Sequence, residues 1–186
     1  MDYFELLKRR RSVRRFTAEG LSPDEISRLL LAAGGAPVGS NLYRDIHLTV
    51  IQDRGILDRL SEATQKRFAD KAELQKIIGD IKPEALSPAV IRDPFYGAPV
   101  VILASHLEQS IQPGIEYSNV ACVVLSMHLA ATEMGLASVL LWTVDAHALK
   151  RWHPRCARHD GAKAPVPLPA CSNPCAISPN WTTRIC

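Results

Sequence analysis

A chain of 186 residues, 47% of them hydrophobic, is long enough for one domain with a full core. Its formal net charge of +3 is too mild to demand nucleic acid, and its basic residues gather at positions 8 to 15 with no aromatic interleaving. The longest apolar run, Val120 to Leu125, is too short to span a bilayer, and the acidic opening Met1-Asp2-Tyr3-Phe4-Glu5 is no secretory signal, so a soluble, cytoplasmic protein without a membrane partner is expected.

Residues 2 to 9 read as a helix with Tyr3, Phe4, Leu6 and Leu7 on its apolar side. Arg10-Arg11-Ser12-Val13-Arg14 follows, a knot of three guanidiniums and a hydroxyl. Arginine presents a rigid fork of donors that matches phosphate oxygens in pairs. The plainer alternative is a solvated cluster complementing the helix dipole, which suits Lys8, Arg9 and Arg15 better. Ser22-Pro23-Asp24-Glu25 starts the next helix: Ser22 caps, Pro23 takes the first turn and Glu25 closes a capping box. Ile26, Leu29, Leu30 and Ala33 form its inner face, and Gly34-Gly35 stops it.

Ala36-Pro37-Val38-Gly39-Ser40-Asn41 is a small-residue loop before a strand at His47 to Ile51. Such a loop can be an ordinary turn. It can also let backbone approach a flat ring closely, with the Asn41 amide donating to and accepting from a heterocycle edge. A phosphate clamp together with a heterocycle reader points to a mononucleotide-like cofactor.

A helix over 56–68 turns Leu57, Leu60 and Ala63 inward, and a short helix is expected near 72–80. The apolar run at 98–104 predicts a strand buried on both faces. Phe95 and Tyr96, just before it, can line a substrate side. Ile115 to Met134 is the longest helix, apolar on most sides and therefore central, with Cys122 as a packed thiol. Residues 137–142 predict another buried strand, and Asp145 a helix cap ahead of Ala148 and Leu149. His47, His106, His128 and His147 show no convergent partners and read as structural or surface residues. No catalytic acid or base is assigned. Cys171 and Cys175, even with His153 and His159, have spacing too loose for a zinc site, so no metal is expected.

Arg10 to Phe16 resembles the N-terminal signature of the FMN-dependent nitroreductase family. Ala36 to Asn41 resembles that family's second signature, and Gly135-Leu136-Ala137-Ser138 its third. The resemblance runs in order from Met1 to about Pro154. It implies an α+β fold, a mixed sheet flanked by helices in a homodimeric sandwich. FMN would lie at the dimer interface. Arg10, Arg11, Ser12 and Arg14 would hold its phosphate. Pro37, Val38, Gly39, Ser40 and Asn41 would lie along the ring, and Leu140, Leu141 and Trp142 would pack against it. Hydride would pass from NAD(P)H through FMN to an electron-poor nitroaromatic or quinone in a ping-pong cycle. Val38 stands where the family commonly has Ser. Tyr43-Arg44-Asp45 departs from the family's usual Gln-Pro-Trp, which leaves the substrate class open. The oxidant and the choice between NADH and NADPH also stay open. A flavin-storing protein without turnover and an azoline-type flavin oxidase of the same superfamily are the alternatives.

Residues 1–154 therefore read as the FMN-binding domain. Residues 155–186 carry five prolines, four cysteines and no strand or helix periodicity, where the family has a strand and a Gly-Tyr-Pro turn. We read them as an atypical, poorly packed tail in place of the expected end.

Overall fold

The computed structural model describes residues 1–69, 93–107, 114–141 and 182–185. The expected helices near 72–80 and after Asp145, Trp142, and the cysteines and histidines from His147 to Cys175 lie outside these residues.

Helix α1 (Tyr3–Arg9) is capped by the Asp2 carboxylate, which accepts from the backbone N–H of Phe4 and Glu5 at 2.9 and 3.1 Å. Helix α2 (Pro23–Gly34) begins with the full capping box: Glu25 N–H donates to Ser22 Oγ, and the Glu25 carboxylate accepts from Ser22 N–H. Those bonds hold the Glu25 carboxyl below its usual range, since they favour the charged form. Ile26, Leu29, Leu30 and Ala33 are buried along one face, as their spacing predicts.

Strand β1 (Ile46–Ile51) is the centre of a mixed sheet of order β2-β1-β3. Strand β2 (Val101–His106) pairs antiparallel to it, with Ile46 opposite His106 and Ile51 opposite Val101. Alternate side chains of β1 serve two layers, as pleating requires. Ile46, Leu48 and Val50 join α2 and the long helix α4 (Ile115–Glu133) in one apolar cluster. Ile51 joins Leu57 and Leu60 of helix α3 (Arg54–Ala69), with Phe95 and Val101, in a second. The architecture is thus α+β, helices flanking a mixed sheet.

Three expectations are corrected. Strand β2 is not buried on both faces: only its Val101 is buried, and β2 is an edge of the sheet among the described residues. Residues 137–141 do not form a buried strand. Ser138 alone makes a parallel bridge, to Ser12, and Leu140 is 54% exposed. The tail contains a strand, since β3 (Thr182–Ile185) pairs parallel to β1 with His47 opposite Thr182. Its β-branched content (Thr182, Thr183, Ile185) suits extended backbone. The segment is too short to show a period.

Candidate functional site

The chain leaves α1 at Arg10, whose φ of −56° and ψ of 128° turn the backbone out of the helix. The segment that follows is fastened to the chain beyond α4. Val13 N–H donates to the Ser138 carbonyl at 3.0 Å, next to the Ser12–Ser138 bridge. Arg10 is half-buried, with its Nη1 3.1 Å from His128 Nε2. Arg11, exposed, donates to the carbonyls of Lys8 and Arg10. Arg14, also exposed, donates weakly to the Ser12 carbonyl at 3.4 Å, and its guanidinium lies 6.0 Å from the centre of the Tyr96 ring. The ion pairs among the described residues are Lys8–Glu5, Arg28–Glu133 and Arg54–Asp58. Arg10, Arg11 and Arg14 have no carboxylate partner among those residues. Their charge is available to an anion.

Tyr96 is presented by a constrained turn. The Asp93 carboxylate accepts from Phe95 N–H at 2.9 Å and from Gly97 N–H at 2.6 Å. Phe95 is driven into the core while Tyr96 takes a left-handed φ of 56°. The sequence reading placed both aromatics beside a substrate. Only Tyr96 faces the arginine segment, and Phe95 is a core residue.

The second motif is a tight turn at the other end of α4. Val38 is buried in the α2–α4 cluster, so its side chain packs inward and only its backbone is available to a ligand. Pro37, Gly39, Ser40 and Asn41 are exposed. Gly39 opens a 3₁₀ segment (Gly39–Asp45) in which Ser40 and Asn41 both take left-handed conformations, φ 56° and 55°. Two such residues in a row cost roughly 1 kcal/mol or more each, and the surroundings must hold them. Asn119 of α4, 2% exposed, does so: its Oδ1 accepts from Gly39 N–H at 2.8 Å. A Cβ at Gly39 would lie 3.0 Å from Ile115 Cδ1 and 3.3 Å from that same Asn119 oxygen, so a larger residue would push both side chains by a few tenths of an ångström. With Oδ1 accepting, the Asn119 Nδ2 donates to His106 Nε2 at 3.1 Å, which leaves His106 Nδ1 to donate to the Leu107 carbonyl at 2.7 Å. Every polar atom of this small network is used.

The structure therefore gives His106 and His128 partners that the sequence reading denied them. His128 is buried beside Arg10, and its Nδ1 lies against Ser138 Oγ. Burial and then the Arg10 charge push its pKa below the ordinary histidine value. Asn119 escaped notice altogether. A polar residue among the apolar ones on a buried helix face signals a partner, but the partner lies 80 positions away. Leu140 is exposed, Leu141 half-buried against the α3-side cluster, and neither is a simple core residue. No group of three or more potential metal ligands occurs among the described residues, and no described helix is long and apolar enough to cross a membrane.

The two motifs do not share one face. Asn119 and His128 are nine residues apart in α4, about 13 Å along its axis and about 180° around it. The arginine segment and the Gly39 loop thus sit at opposite ends and on opposite sides of the same helix.

The nitroreductase family matches residues 7–154. A nitroreductase from Bacteroides fragilis, solved with bound FMN, is 27% identical, with 73% of this chain and 67% of that one covered and a TM-score of 0.55. An FMN-dependent nitroreductase from Clostridium difficile is 28% identical, with 72% of this chain and 57% of that one covered and a TM-score of 0.54. A BluB-like flavoprotein from Clostridium difficile shares the fold at 21% identity, with 83% of each chain covered and a TM-score of 0.64. No curated protein matches. The matched span takes in the arginine segment, the Gly39 loop and α4 between them, and this chain belongs to the nitroreductase family.

Proposed function

We propose that this protein is an FMN-dependent oxidoreductase that works as a homodimer. It would pass hydride from NAD(P)H to an electron-poor aromatic acceptor, a quinone or nitroaromatic. The observation that carries this reading is the placement of the two motifs on opposite sides of α4. On this reading the two motifs belong to different flavin sites, and a second copy would supply the missing half of each. The surface supports such an assembly. Tyr3 and Phe4 of α1 and Tyr117 and Leu125 of α4 are 52–72% exposed, an apolar load that another copy would cover.

The residues fit FMN on structural grounds. Arg10, Arg11 and Arg14, without carboxylate partners among the described residues, suit a phosphate. Gly39 brings backbone to the surface, and the exposed Asn41 amide can bond a ring edge. When bound, the flavin supplies the electron transfer itself. The chain's part is to bind, orient and shield. The arginines neutralise the phosphate, the loop of the partner copy holds the ring, and Tyr96 and Leu140 offer an aromatic and an apolar surface to a flat acceptor.

The purified protein should carry a flavin absorbance band, sediment as a dimer and oxidise NADH or NADPH with a quinone. A flavin-loaded monomer would remove the shared-site reading. A flavin-loaded dimer without turnover would favour a storage role.

A further inference from the structure

We propose that His128, as the neutral tautomer protonated on Nδ1, is a positioning residue that aims Arg10 at the FMN phosphate and makes phosphate recognition sensitive to pH. The inference rests on the FMN reading above. Its basis is a closed ring of contacts. Arg10 Nη1 can only donate, so His128 Nε2, 3.1 Å away, must accept. The imidazole proton is then on Nδ1, where it meets Ser138 Oγ. Ser138 in turn accepts from Val13 N–H at 3.0 Å through its carbonyl. The strand segment bearing the arginines is thus held twice, by backbone at Val13 and by side chain at Arg10, and both holds pass through Ser138. Without the imidazole, a half-buried guanidinium would lose the side-chain hydrogen bond that fixes it among the described residues and could swing off target.

Protonation breaks the device. An imidazolium has no lone pair for Arg10 and places a second positive charge 3.1 Å from the first. Of the other charges near this end of α4, Arg11 and Arg14 are exposed and bond only backbone carbonyls among the described residues. Lys8 of α1 pairs with Glu5, and Arg28 of α2 pairs with Glu133. The residues one turn away on α4, Val124, Leu125, Ala131 and Thr132, do not titrate. Arg10 is the charge that acts on the ring, and it resists protonation together with burial. The clamp is therefore assembled at neutral pH and comes apart on acidification.

Titration of flavin fluorescence with the full-length chain tests this, using FMN and riboflavin, which differ only in the phosphate. The readout is the ratio of the two dissociation constants, at about pH 7.5 and about pH 5.5. For the natural chain the ratio should favour FMN at the higher pH and shrink at the lower. His128→Leu should reduce the FMN preference roughly tenfold at the higher pH, near the worth of one charge-assisted hydrogen bond. Arg10→Ala should do the same, and the two changes together should do little more. His128→Gln keeps an acceptor that cannot titrate. It should retain the preference and lose the part of the pH response that is not the phosphate's own ionisation. An unchanged ratio in His128→Leu overturns the proposal, as does a His128→Gln pH profile superimposable on that of the natural chain. If His128→Leu fails to fold, the His128→Gln profile decides. A natural chain with no preference for FMN over riboflavin overturns both this and the reading it rests on. A preference untouched by either variant overturns this proposal alone.

Discussion

At one end of α4 the buried amide of Asn119 holds the Gly39 loop, and at the other the imidazole of His128 holds Arg10. Both are buried polar residues of the helix, and both reach a segment far away in sequence. They differ in what can undo them. The amide never titrates, and its loop is also pinned by the fit of Gly39 against Ile115. The imidazole loses its acceptor with one proton. The loop end is therefore a fixed template, and the arginine end a conditional clamp.

The largest expected effect comes from breaking the template. Asn119→Leu keeps the volume but strands the Gly39 N–H and His106 Nε2, at an expected cost of about 2–3 kcal/mol. The loss should appear as a lower urea midpoint and faster amide exchange at Gly39 to Asn41. A midpoint unchanged within error would mean that water replaces the amide freely and that the loop is held by apolar packing alone.

The contrast between the ends also marks what the sequence could reveal. Ser22-Pro23-Asp24-Glu25 is local, and its capping box forms as read. The burial of Ile26, Leu29, Leu30 and Ala33 follows from helical spacing alone. The chemistry at positions 10–14 and 36–41 was visible as residue types. Its support was not, because Arg10 and His128 are 118 positions apart and no periodicity links them. The same limit explains Val38. A branched apolar residue in a small-residue loop looks available to a ligand until the α2–α4 cluster is seen to need it. The apolar run at 137–141 failed as a strand for a related reason. Apolar character marks extended backbone only where a partner strand exists, and Ser138 alone finds one.

A smaller effect should separate the two ends by pH. His128 has its pKa lowered in the folded chain from an ordinary 6.5, by burial first and then by Arg10. Below that ordinary value the unfolded chain binds the proton more readily than the folded one, so stability falls as the pH is lowered. The full contribution is present above 6.5 and is lost as pH drops toward the lowered folded value. Glu25, also lowered, acts in the same direction but at the lower pH of a carboxylate. Urea midpoints of the natural chain and His128→Gln across this range should converge on acidification. Parallel curves would show that His128 carries no linkage.

The smallest change sharpens the loop end by separating its shape from its chemistry. Asn41 sits at φ 55°, exposed, with its backbone N–H on the Val38 carbonyl at 3.3 Å and no side-chain hydrogen bond among the described residues. Asn41→Gly keeps the left-handed conformation without the Cβ penalty. The greater freedom of glycine in the unfolded chain offsets that gain, so stability should move by no more than about 0.5 kcal/mol. If Asn119 sets the shape and Asn41 only bonds the ring, the variant should fold normally and bind flavin more weakly. The flavin's reduction potential should also move downward, because a donor at the ring edge stabilises the reduced, more anionic form. Asn41→Ala could not make this distinction, since it would add strain to the loss of the amide. A normal potential in Asn41→Gly would make Asn41 a turn residue and leave the reading of the ring to the backbone around Gly39.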